Sequence, residues 1–304
     1  MTNKDKICNK IIEKSSATKI SYSQFTTFHD CPEKFRRKYV LGDYRSDYNI
    51  QLIFGTSIHA SIQHYVEQIY SNSHKFANKI DLHDYLYQQL CINYEESLKK
   101  NFHKHFSNNE EMEEFYNDGC NILDELKQDC EKHFPKHYEY IGSELHIVSK
   151  ILEEFELNFQ AYIDSTFFDT ISDKLVIFDY KTSTKGWNES NKSDEYKLAQ
   201  LRLYKYFVSK IYDIPLEDIE IKFVILKRKI WEGNSKYESK RISHFVPSSG
   251  KKKIRESFEL IKDFVELNFT NKGSYIKDIE RKANPSKFTC TYCPFNVDCE
   301  HAFK

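Results

Sequence analysis

Residues 156–168 and 174–182 read as two β-strands. The five residues between them, Asp169-Thr170-Ile171-Ser172-Asp173, have the composition of a hairpin turn. This pairing constrains the chain more than any other feature. With the turn centred between Ile171 and Ser172, facing residues have numbers that sum to 343, so Asp164 faces Asp179. Cross-strand partners lie about 4.5–5.5 Å apart at Cβ. Side chains two apart share a face, so Lys181 joins Asp179. Two carboxylates and one ammonium group are thereby expected at one spot. The plain alternative is a strand-edge salt bridge at the surface.

The other elements surround this hairpin. Ser21 reads as the N-cap of a short helix over residues 22–35, with Cys31-Pro32 as its interruption. Phe54, Ile58, Ile62, Tyr65, Val66 and Ile69 recur at helical spacing. Residues 80–105 and 110–133 read as two further helices. A strand over 143–151 precedes the hairpin, and a loop over 183–193 follows it. Next come a helix over 194–212 and a strand over 219–229, apolar enough to be central. A last helix spans 248–267. The expectation is an α/β core with a helical block, 56–135, ahead of the sheet. Residues 1–19 are polar and expected to be flexible, and residues 20–304 to form one domain.

Charge excludes one easy reading. Lys and Arg number 45 against 46 Asp and Glu. Any nucleic-acid surface must therefore be local. The basic runs at 34–38, 227–229 and 251–253 read singly as solvated surface. The first twenty residues lack the apolar core of a signal peptide, and no apolar run nears a membrane span. An intracellular, cytoplasmic protein without a membrane partner is expected. The Lys, Asn and Ile surplus fits an AT-rich genome and leaves a phage or virus gene among its sources. Eight cysteines in that compartment read first as metal ligands rather than disulfides.

Two aspartates that close repel unless a cation lies between them. Mg²⁺ or Mn²⁺ suits paired carboxylates. Such an ion acidifies water and offsets charge building on a phosphorus-bound oxygen. Lys181 can orient that water or stabilise the developing charge. The set is suited to hydrolysing a phosphodiester.

Asp164 followed by Asp179-Tyr180-Lys181 resembles the PD-(D/E)XK nuclease superfamily. The segment Val176-Ile177-Phe178-Asp179-Tyr180-Lys181-Thr182 is most similar to its RecB-like branch. Gly55-Thr56-Ser57-Ile58-His59 matches that branch's GxxxH, and Gln200-Leu201-Arg202-Leu203-Tyr204 its QxxxY. Glu144 stands where the branch has an acidic residue. One position departs: Gln160-Ala161-Tyr162 stands where members usually carry a glycine before the first aspartate. The resemblance implies a restriction-endonuclease-like core, a central mixed sheet flanked by helices. It implies Asp164, Asp179, the Tyr180 carbonyl and His59 as metal ligands, and Lys181 as the catalytic lysine. Gln200 and Tyr204, at i and i+4 on one helix, would orient the lysine or the DNA.

The tail, residues 284–304, holds Cys290-x2-Cys293-x5-Cys299. A tetrahedral thiolate site needs a fourth sulfur. Cys31, followed by a proline as Cys293 is, resembles the first cysteine of the iron–sulfur subset of this branch. That subset includes AddB-type recombination nucleases and CRISPR-associated adaptation exonucleases. The resemblance implies a [4Fe–4S] cluster on Cys31, Cys290, Cys293 and Cys299, with Zn²⁺ as the alternative. Closing the loop from 31 to 290 costs roughly 5 kcal/mol. Structural thiolate–metal binding supplies roughly 10–16 kcal/mol, so the metal can act as a clasp.

The preferred expectation is a metal-dependent DNA exonuclease acting on single strands or free ends. The helical block 56–135 is expected to wall a channel for the strand. No phosphate-loop motif is present, so unwinding would need a helicase, recombination or replication partner. The alternatives are an inactive DNA-binding or scaffold protein of the same fold, or a zinc-stabilised binding module.

Overall fold

A computed structural model describes residues 3–8, 17–43, 45, 48–230 and 240–303. Helix α1 (Asn3–Cys8) buries Ile7, and strand β1 (Thr18–Ser21) follows. The helix and the start of the strand fall within the segment 1–19 that the sequence marks only as polar. Asp5 is the one acidic residue in the first turn of α1, too weak a pattern to announce a docked helix.

Ser21 ends β1 and caps α2 (Tyr22–Asp30) through a reciprocal capping box with Gln24. The helix stops at Cys31, which is extended because Pro32 follows it. Pro32 then opens α3 (Pro32–Phe35), which runs into a π turn over Arg36–Val40. The helical block comprises α4 (Ile50–Ser71), α5 (His74–Ala77), α6 (Leu82–Lys100), α7 (Asn109–Gln128) and α8 (Cys130–His133). Asn49, Ser73, Asp81 and Asn108 cap α4, α5, α6 and α7.

The sheet comes next: β2 (Tyr138–Lys150), β3 (Leu157–Asp169) and β4 (Lys174–Ser183). Helices α9 (Glu189–Ser193) and α10 (Glu195–Tyr212) lead to β5 (Ile219–Lys227) and β6 (Ile242–Phe245). Then come α11 (Lys251–Asn268) and α12 (Lys287–Thr291). The six-stranded sheet is mixed. β2 runs antiparallel along one side of β3 for most of its length. The other side of β3 is shared: β1 pairs in parallel with Leu157–Gln160, and β4 pairs antiparallel with Ser165–Asp169. Residues 161–164 lie between those two ladders on that side.

Two apolar layers sandwich the sheet. One joins Phe25, Phe35, Leu201, Phe207 and Phe264 to Leu175 and Ile177. The other joins Phe54, Ile58, Tyr65, Phe115 and Leu123 to Val176, Phe178 and Tyr180. Alternate residues of β4 thus face opposite layers. The odd-numbered residues of β3 change layers. Phe159, Ala161 and Ile163 belong to the first layer and Phe167 to the second. The switch falls around Asp164.

The basic runs are built into the fold. Arg36 and Arg37 clasp Glu33 at 2.6 and 2.9 Å. Arg228 lies over the Phe115 ring and pairs with Asp118 at 3.1 Å, tying β5 to α7. Lys253 pairs with Glu195 and Glu256. Among the described residues no helix is long and apolar enough to cross a membrane.

Candidate active site

The hairpin register has the expected sum: Ser165 pairs with Phe178, and the ladder runs to Asp169 with Lys174. It stops one step short of Asp164 and Asp179. Beyond that point β4 continues beside β5 alone, so the two strands form a fork. At the fork the Asp164 carboxylate replaces a main-chain acceptor and takes the Tyr180 backbone N–H at 2.7 Å. Asp164 is held by the unpaired stretch of β3, which the sequence pattern does not reveal.

Asp179 is almost fully buried, and Lys181 Nζ stands 2.7 Å from its Oδ2. That ion pair is close but misaligned, so Oδ2 has no hydrogen-bond partner. His59 Nδ1 lies 3.7 Å from Asp164 Oδ2, and its ring packs edge-on against Tyr180. Gly55, one turn earlier on α4, lets the helix lie against β4. A Cβ there would stand 3.7 Å from Thr182 Oγ1, so alanine fits and a longer side chain would displace the helix that carries His59. Gln200 donates to Tyr204 Oη at 3.0 Å, both buried. Tyr204 also feels the Asp179 and Asp164 charges, which with burial hold its hydroxyl protonated.

The sequence reading misses three supports. Gln63, one turn on from His59, donates to Glu144 at 2.7 Å and to the Asp164 carbonyl at 3.3 Å. The i,i+4 pair His59 and Gln63 was its available signal. Glu144 itself has a left-handed backbone, φ 52°, a strain of about 1–3 kcal/mol for a residue with a Cβ. It lies between the pairs Ser143 with Ser165 and Leu145 with Ile163, beside the kink at Asp164. Tyr22 comes from α2, its hydroxyl pushed up by burial and by Asp179. Under the site, Tyr180 Oη donates to Ser165, which shares a hydrogen bond with Ser143.

Burial sets the electrostatics. It lifts Asp164 to about 6 against the pull of Lys181 and the Tyr180 N–H. It lifts Asp179 to about 6 against Lys181, with Asp164 adding repulsion. It lowers His59 to about 4, keeping the imidazole neutral at physiological pH. A carboxyl raised from 3.8 holds its proton more tightly when folded. Its contribution to stability is present below the unfolded value and lost as pH rises through about 6. In EDTA, Asp179→Asn should therefore melt a few °C above the parent near pH 8, about 1–3 kcal/mol, with the gap closing near pH 4. Melting curves across pH check this; a variant that melts lower at pH 8 defeats it.

Among the described residues no group of three or more His, Cys, Asp or Glu side chains is spaced to hold one ion. The chemistry of the fork still fits a divalent cation. It offers two carboxylates, a neutral imidazole and a buried carboxylate oxygen without a hydrogen bond.

The four tail-associated cysteines come together. Cys31, at the break between α2 and α3, lines one cavity with Cys290, Cys293 and Cys299. The cavity measures about 20 Å³, above the roughly 10–15 Å³ that one water needs. None of the four forms a disulfide among the described residues. The Phe303 N–H donates to Cys290 Sγ and draws its pKa down, toward the thiolate that metals bind. Asp298 anchors the tail to Arg37 and Arg45 at 3.2 and 2.7 Å, and both guanidinium groups lie over Phe295. Of the other cysteines, Cys130 is buried beside His74 at 3.3 Å.

The helical block supplies His59 and Gln63, yet Phe54, Tyr65 and Phe115 are buried in its core. The groove beside Lys181 is lined by Asn49, Gln51 and Leu52 and by later segments. No residue of 56–135 lines it. The channel wall expected from that block is therefore not at this groove; its Tyr87, Tyr94 and Tyr116 line a separate one.

The model of the PD-(D/E)XK nuclease superfamily matches residues 19–300. No curated protein sequence matches the chain significantly.

Proposed function

The chain belongs to the PD-(D/E)XK nuclease superfamily, and on that premise we propose that it is a divalent-metal-dependent deoxyribonuclease, an exonuclease acting at DNA ends. The observation that carries this reading is the convergence of Asp164, Asp179 and Lys181 at the fork between β3 and β4. Asp164, Asp179, the Tyr180 carbonyl and His59 would hold Mg²⁺ or Mn²⁺. When bound, the ion supplies positive charge to the attacked phosphate group and acidifies water. Lys181 orients the attacking water and offsets charge on the phosphate oxygens. Its ammonium already neutralises Asp179, so it must turn only a short way toward substrate. Tyr180 fixes Asp164 through its backbone N–H, and Gln63 ties the Asp164 carbonyl to the Glu144 carboxylate. Gln200, bonded to Tyr204, lines the same groove as Lys181.

The same reading gives the four thiols a structural [4Fe–4S] cluster. Support comes from their shared cavity and the thiolate-favouring surroundings of Cys290. Zinc in the same thiolates is the competing occupant. Metal analysis and the visible spectrum of protein prepared without oxygen separate them: a brown, iron- and sulfide-containing sample is expected, and a colourless zinc protein would count against the cluster.

The activity is tested by digesting 5′- and 3′-labelled single and double strands with Mg²⁺ or Mn²⁺. Progressive shortening from one end is expected. Intact substrate with both metals would overturn the reading, and internal nicks would overturn its exonuclease part. Coupling to unwinding would require a separate helicase partner.

A further inference from the structure

The groove that opens beside Lys181 measures about 640 Å³ and includes Lys197, Trp187, Leu52, Phe288 and Tyr292. Three of its apolar side chains are open to solvent: Phe288 at 79 %, Tyr292 at 60 % and Leu52 at 57 %. Trp187 is held from behind, packed on Phe223 and Phe245. Among the described residues no carboxylate lines this groove, although Asp179 and Asp194 pair with its two lysines from behind the lining. A groove of about 770 Å³ between α6 and α7 shows the opposite chemistry. Asp81, Asp84 and Glu113 line it, and neither lysine nor arginine does. Exposed rings, lysines and a lining without carboxylates are what unpaired nucleic acid requires, with bases on rings and phosphates on ammonium groups. A duplex hides the flat faces of its bases in its own stack and could not use the rings.

We propose that Phe288 and Tyr292, on and just beyond α12, form a stacking lip with Trp187 and Leu52 that feeds unpaired DNA to Lys181. This rests on the nuclease reading for its occupant and gives the expected preference for single strands or free ends its own side chains: the lip takes single-stranded DNA or the single-stranded end of a duplex. Both rings project from a segment pinned through Ser286 and Thr289, whose reciprocal hydrogen bonds cap α12. The lip is thus presented by ordered backbone.

The test is fluorescence anisotropy with a labelled oligothymidylate and a labelled blunt duplex, with Ca²⁺ in place of Mg²⁺. The proteins are the full chain, the double variant Phe288→Ala/Tyr292→Ala and the double variant Phe288→Trp/Tyr292→Trp. The alanine pair should weaken oligothymidylate binding roughly tenfold to a hundredfold and leave duplex binding within about twofold. It should raise KM for single strands with kcat unchanged, and tryptophan should restore both. Equal melting temperatures establish that the variants are folded, as expected for exposed rings. Unchanged single-strand binding, equal losses on both DNAs, or tryptophan no better than alanine overturns the lip. Wild-type protein that shows this binding pattern but cuts no DNA supports the lip and overturns the nuclease reading instead.

Discussion

Lys181→Ala should lower DNA cleavage by about 10²–10⁴-fold while the protein stays folded. Lys181 is one-third exposed and packs no core. Removing it leaves Asp179 buried without its counter-charge, so the variant should lose some stability in EDTA and recover it with Mg²⁺. Asp179→Ala should be at least as inactive, and added metal should not stabilise it as it does the parent. Single-turnover cleavage of an end-labelled strand and melting curves with and without metal make the measurement. Activity within tenfold of the parent in both variants would remove these residues from the reaction. The pairing matters because a merely structural ion pair would change melting without changing the response to metal.

Cys31→Ser should have the largest effect on stability. In the proposed cluster its thiol would be the one ligand from the N-terminal half of the chain, and the other three cysteines of the cavity lie in the last fifteen residues. Without it the metal no longer spans the chain. Several kcal/mol of binding energy are lost, and Tm should fall by about 10 °C or more. Metal content should fall in parallel. Removal of residues 288–304 should act in the same direction and further, since it also takes Asp298 from Arg37 and Arg45 and removes Phe295 from between them. Full metal content in Cys31→Ser would show that another group completes the site. A soluble, fully active chain without residues 288–304 would show that the tail is no part of the domain.

The hairpin register was legible because a short turn joins two strands buried on both faces. A one-residue slip would exchange the two apolar layers. Ser21 as a cap and the break at Cys31-Pro32 were legible for equally local reasons. The fork was not. It depends on β1 taking four residues of β3 from the far end of the same side, and a four-residue strand after a polar segment carries no periodic signal. Glu144 reads as an ordinary strand residue, since a left-handed backbone leaves no trace in a side-chain pattern. Gln63 was hidden inside a helix with a clear apolar stripe. The basic runs misled in a different way. Their partners Glu33, Glu114, Asp118 and Glu195 come from several elements, and only the fold shows that these charges are spoken for.

Helix α2 joins two of these places. Its first residue, Tyr22, lines the groove beside Lys181, and the residue after its end, Cys31, lines the thiol cavity. Nine residues of helix make a rod about 13 Å long, anchored at one end by a strand and at the other by a proline break. Such a rod works as a lever. A displacement at the thiol cavity would be carried to the mouth of the groove by one helix, with no loop between to absorb it.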